Sequence, residues 1–108
     1  MLVGAALRYA SAECIDCVLV RRGDADAGAI FLHIDALDGR HKILARKLEY
    51  DANFEGAYTW SAITGNDDND WVDQATAEAK LARELEIDPD VFVIAVCDAA
   101  ARNPFDAL

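Results

Sequence analysis

Two cysteines three positions apart are the first residues in this chain whose type and spacing could do chemistry. Cys14-Ile15-Asp16-Cys17 is a CxxC, the spacing of a redox dithiol or of half a zinc site. A thioredoxin-like dithiol needs its first cysteine at a helix N-terminus, where the dipole lowers the thiol pKa, and here the pair falls where a helix ends and a strand begins. Zinc would need two more ligands, for which Cys97 with His33 or His41 would have to be brought together by the fold. The thiols are read as small buried residues, and no metal and no cofactor is expected.

Asp24-Ala25-Asp26-Ala27-Gly28 alternates carboxylates before a glycine, as a calcium loop does. The EF-hand form needs a bidentate Glu at its twelfth position, where Asp35 stands if Asp24 is the first, and its flanks should be helices. The flanks here read as strands, so the stretch is a hairpin loop. The second acidic stretch, residues 66–70, is explained by helix capping.

His33 and Asp35 alternate onto one face of a strand with Phe31. Arg46 of the following strand stands near them if Asp38-Gly39 sets the hairpin register. A His-Asp-Arg cluster can do acid-base work, because histidine titrates near neutrality and a carboxylate can orient it. Neither a nucleophile nor a glycine-rich phosphate loop accompanies it, and a solvated sheet face with cross-strand charge pairs accounts for the same residues. Tyr58, Trp60 and Trp71 could line a pocket, although large aromatics more often serve a core or an interface. The candidate binding residues are Arg21, Phe31, His33, Asp35, Arg46 and Trp60, and none is assigned a catalytic role.

The 108 residues that must position these side chains allow one domain with a real core. Twenty acidic against ten basic residues give a net charge of -10, which repels phosphate and argues against nucleic-acid partners. The apolar start lacks a basic segment and is broken by Arg8 and Glu13, so it reads as a helix of the mature protein, not a signal peptide. No run approaches the roughly 18 apolar residues of a membrane span. Three cysteines, an odd and sparse set, point to the cytoplasm.

Leu2, Val3, Ala6, Leu7, Ala10 and Cys14 form a helical stripe. A β-rich run ending at Arg21, the turn GDADAG, an alternating run from Ala29 and the Asp38-Gly39 turn together predict a three-stranded meander. The turn is expected to be type I′, with both of its central residues at positive φ. A fourth strand, AYTWSAI, follows. Asn69 or Asp70 is expected to cap a helix from about Trp71 to about Glu86, with the stripe Trp71, Ala75, Ala79, Ala82 and Leu85 inward and Glu78 awkwardly near its middle. Val91 to Val96, uninterrupted and β-branched, predicts a strand in the middle of the sheet.

RRGDADAG followed by a β-run and LDG, and later LARELEIDPDVFVIAV followed by Asp98, resemble the small bacterial family known as domain of unknown function 1491. The resemblance covers Arg21 to Gly39 and Leu81 to Asp98. It implies a one-domain bacterial protein and carries over no catalytic residue. After Asp98 the chain departs from the family's acidic-basic turn ending in Gly-Arg, with Ala99-Ala100-Ala101-Arg102-Asn103-Pro104 in its place.

The expected architecture is α+β, in the order α-β-β-β-β-α-β. It has a mostly antiparallel sheet of four to five strands with two helices on one face, residues 1–98 being the domain and 99–108 a C-terminal arm or docked segment. The expected function is a cytoplasmic, non-catalytic module that binds a protein partner, most simply itself as a homodimer. The alternative is a small enzyme or ligand-binding protein with a polar pocket near Arg21, His33, Asp35 and Arg46.

Overall fold

A computed structural model describes residues 2–23 and 29–108, with the backbone alone at Lys47 and Leu48. The described chain runs α1 (Leu2–Ala12), β1 (Asp16–Arg21), β2 (Ile30–Asp35), β3 (His41–Tyr50), β4 (Gly56–Ala62), α2 (Gln74–Ile87), β5 (Phe92–Cys97) and a 3-10 turn (Pro104–Ala107). The strands form one mixed sheet in the order β1-β5-β2-β3-β4. β5 is parallel to β2, and the other three pairings are antiparallel.

β5 is central, as its continuous apolar run predicts, and this breaks the expected meander. It fills the slot between β1 and β2, so the link between those strands crosses β5 and spans two strand spacings, roughly 10 Å. Gly23 permits the crossing: a Cβ there would collide with the backbone of Val91 and Phe92. The stretch from Asp24 to Gly28, read above as a hairpin loop, lies outside the described residues.

Alternation divides the sheet into two faces. Ile30, Leu32 and Ile34 of β2 share one face with Phe92, Ile94 and Val96 of β5, and these pack with Val3, Ala6 and Ala10 of α1, Ile15 and Phe105. α1 ends in a Schellman arrangement, in which Ile15 N–H donates to the Ala10 carbonyl and Cys14 N–H to that of Ser11. Cys14 takes the left-handed position there with φ 58°, exposed and off the helical stripe.

α2 does not join α1. It packs on β3, whose inward Ile43 and Ala45 are buried on the opposite face from the α1 cluster, so the expectation of both helices on one face is wrong. The reason is topological: the path from β4 at one edge to β5 beyond β2 must cross the sheet, and α1 already covers the other side. The helix also starts later than expected. Asp73 is its cap, accepting the Thr76 N–H at 2.7 Å, while Val72 makes a two-way backbone bridge with His41. Its inward residues are Ala77, fully buried, and the half-buried Leu81 and Leu85. Ala75, Ala79 and Ala82 of the expected stripe face solvent, as does Glu78, which accepts from Gln74.

Beyond β5 the Asp98 carboxylate holds the backbone N–H, Nε and Nη2 of Arg102 and closes a turn. That turn delivers Phe105 to the core, where its ring lies 4.9 Å from that of Trp60. Residues 99–108, set apart above, thus contribute a core side chain.

Candidate functional site

The hairpin between β2 and β3 is joined by residues 36–40, and Ala36 N–H donates to the Arg40 carbonyl. Positive φ occurs at Leu37 and Gly39, not at Asp38, so the turn is one residue longer than the expected type I′ form. Asp35 accepts the Leu37 N–H, and Asp38 accepts the N–H of Arg40 while pairing with its guanidinium. That extra residue shifts the register by one position, and a one-residue slip exchanges the faces of a strand.

The shift rearranges the expected cluster. Asp35 pairs with His41 and Ile30 with Arg46, so Arg46 lies on the α1 face while His33 and Asp35 lie on the α2 face. Arg46 stacks instead on Tyr58, 3.5 Å from the ring centre. Trp60 pairs with Arg46 and joins that same face. Arg21 stands at the end of β1, where its Nε donates to the Pro89 carbonyl. Phe31 is half-buried on the α2 face. The candidate residues are therefore split between the two faces, and Arg21, His33, Asp35 and Arg46 do not form one pocket.

What stands beside His33 is His41. His33 Nε2 lies 3.0 Å from His41 Nδ1, and His41 Nε2 lies 3.8 Å from Asp35 Oδ1. The tautomer that fits this geometry has His33 Nε2–H donating to His41 Nδ1, with His41 Nε2–H turned toward the Asp35 carboxylate beyond hydrogen-bond distance. Burial first, and then the neighbouring His41, push the His33 pKa below its ordinary value, against the opposite pull of Glu78 and Asp35. The His33 ring is thereby suited to the neutral state.

Chemically, an oriented imidazole can act as a base, but the His41 ring is buried, only 5% exposed. Among the described residues, shallow hollows lie along α2 at Ala75, Thr76, Ala79, Lys80 and Arg83, and at Tyr9, Arg102, Asn103, Asp106 and Ala107. The histidine pair is best described as a polar rivet between the hairpin and the start of α2, since His41 also holds Val72 through its backbone. The sequence carried one signal for it, namely that an odd loop length would place His41 opposite Asp35.

The cysteines are not gathered. Cys17 pairs with Val96 and Cys97 with Asp35, which sets them on opposite faces. Burial, followed by nearby carboxylates, raises the pKa of both thiols. Among the described residues no group of three or more histidine, cysteine or acidic side chains could hold a metal ion.

The fold and this site define a small α+β protein built on one mixed sheet. The chain belongs to the family described as "Protein of unknown function (DUF1491)", whose model matches residues 1–106. A crystal structure of a DUF1491 family protein from Caulobacter crescentus CB15 is similar, with a TM-score of 0.74 at 24% identity, covering 95% of this chain and 88% of that one. A solution structure of a protein from A. tumefaciens gives 0.70 at 23% identity, with 90% and 81% covered. Comparison with curated proteins gives no match. No helix among the described residues is long and apolar enough to cross a membrane.

Proposed function

We propose that this protein is a non-catalytic interaction module whose partner is a second copy of itself, joined through β1. The observation that carries this reading is an edge left open among the described residues. Among the described residues β1 pairs only with β5, and its Val18 and Val20 are 55% and 61% exposed. An edge strand with unpaired backbone groups and a β-branched run, without a charge between Cys17 and Val20, invites another strand.

Charge order favours a second copy in antiparallel alignment. Asp16 begins the strand while Arg21 and Arg22 end it, so antiparallel self-pairing sets the acidic end of each copy beside the basic end of the other, and a parallel alignment opposes like charges. The bulge between Leu19 and Arg21 limits the pairing to the first part of β1. A net charge of -10 per copy works against association, but over distances beyond roughly 8 Å it is screened at physiological salt. Ala95, half-buried beside Val18, and Phe31, on the same face one strand further along the sheet, extend the apolar surface that a partner would cover. Cys17 and Cys97 on opposite faces suit a reducing, cytoplasmic setting, where no disulfide is needed.

Sedimentation velocity across a range of concentrations tests the reading. A dimer that Val18→Glu converts to monomer, with unchanged circular dichroism, is expected. A strictly monomeric wild type overturns it.

A further inference from the structure

The α2 face is only partly covered. α2 packs on β3, and toward β1 the same face stays open among the described residues. Val18, Ala95 and His33 stand side by side there across β1, β5 and β2, and Phe31 follows His33 on the same face. Val18 is 55% exposed and the other three are half-buried. The result is a trough with α2 as its wall, where Glu78 is near enough to act on the His33 ring. One end of the trough is acidic: Asp16 and Asp35 flank Cys97 in register, and both act on its thiol. Asp35 accepts the Leu37 N–H and Glu78 accepts from the Gln74 amide, which are neutral donors. Among the described residues none of these three carboxylates is paired with a lysine or arginine.

From this geometry we infer that the trough binds one amphipathic helix of a partner protein. The apolar stripe of that helix lies on Val18, Ala95 and Phe31, and its basic end meets Asp16, Asp35 and Glu78. Width selects the ligand. From β2 to β1 is two strand spacings, roughly 10 Å, and a helix with its side chains is about 10 Å across. Charge selects its end. Lysine or arginine in one terminal turn of the helix supplies the cations that the three carboxylates lack, and the apolar middle of the trough requires an apolar stripe.

Other occupants fit less well. An added strand joins a sheet at its edge through backbone groups and finds no such groups on a face. A second sheet would pack face to face about 10 Å away, and α2, standing on β3, blocks that approach. A second copy of the chain does not supply the helix, because neither α1 nor α2 carries a basic residue in its first or last turn. Self-association along β1 continues the sheet and leaves most of this face open. The trough therefore stands or falls independently of the β1 edge.

Fluorescence anisotropy with the full chain at physiological salt tests this. The probe is a fluorescein-labelled peptide, Gln-Gln-Leu-Ala-Gln-Leu-Leu-Ala-Gln-Leu-Ala-Lys-Lys, whose leucines fall on one helical face. It is compared with a peptide ending in Glu-Glu in place of Lys-Lys, and with one of the same composition whose leucines are scattered around the helix. Saturable binding of the first is expected, with both controls weaker by roughly tenfold or more. Glu78→Lys and Asp16→Lys are each expected to weaken it roughly tenfold, and Ala95→Arg, which fills the floor, to abolish it. Should a variant misfold, the three-peptide comparison on the wild type still decides. No binding, equal binding of the scattered or Glu-Glu peptide, or unchanged binding in a folded Ala95→Arg overturns the proposal. Glu78→Lys is expected to leave sedimentation unchanged, which separates this test from that of the β1 edge. A wild-type dimer that Glu78→Lys dissociates overturns it too, since that assigns the trough to a second copy.

Discussion

His33 and His41 face each other diagonally across the β2–β3 hairpin, Nε2 to Nδ1 at 3.0 Å, and the contact exists only while at least one ring nitrogen is unprotonated. Because the folded-state pKa of His33 lies below its ordinary 6.5, protonation favours the unfolded chain. The contribution of His33 to stability is complete above that value and is lost as pH falls through the lower folded value. Urea midpoints measured at a series of pH values are expected to fall on the acid side of 6.5, and His33→Asn is expected to flatten that part of the profile. The carboxylates that are stabilised in the fold, Asp98 by its hydrogen bonds from the Arg102 side chain and Asp73 by those from Thr76, have pKa values lowered from 3.8 and act in a separate, more acidic window.

Gly23 and Gly39 are expected to differ in kind. Gly39 has φ 91° and open space around it, so Gly39→Val costs backbone strain alone, about 1–3 kcal/mol. At Gly23 even a methyl group meets the backbone of Val91 and Phe92, and Gly23→Ala should displace the link that crosses β5. Denaturation midpoints with hydrogen exchange of the β5 amides distinguish the two: only Gly23→Ala is expected to weaken protection along Phe92–Cys97.

Cys14 occupies a left-handed helix-ending position that glycine fills without strain, and its side chain is exposed. Cys14→Gly is therefore expected to stabilise the fold by about 0.5–1 kcal/mol, read as a raised urea midpoint under reducing conditions.

Phe105 is 6% exposed and lies against Trp60, although it sits only three residues from the end of the chain. Phe105→Ala should cost about 3–5 kcal/mol and shift tryptophan emission to the red as Trp60 gains water. A change within a few tenths of a kcal/mol would mean that the final turn is not part of the core.

Local chemistry sufficed for those parts of this protein that neighbours along the chain decide. The alternation from Ile30 to Asp35 showed which side chains of β2 point inward, because a strand turns each successive side chain to the other face. The unbroken run of β5 marked it as central, since only a strand flanked by others buries both faces. The stretches RRGDADAG and LARELEIDPDVFVIAV were enough to recognise the family. Three features came from tertiary structure alone. The insertion of β5 between β1 and β2 is a contact between ends of the chain and leaves no local trace beyond Gly23. The placement of α2 opposite α1 follows from which face was still open, and the outward alanines show that alanine, suited to either side, cannot report it. The candidate site depended on the length of one loop: a single extra residue sent Arg46 to the far face and brought His41 to His33, because the two-residue period of a strand converts one step of register into an exchange of faces.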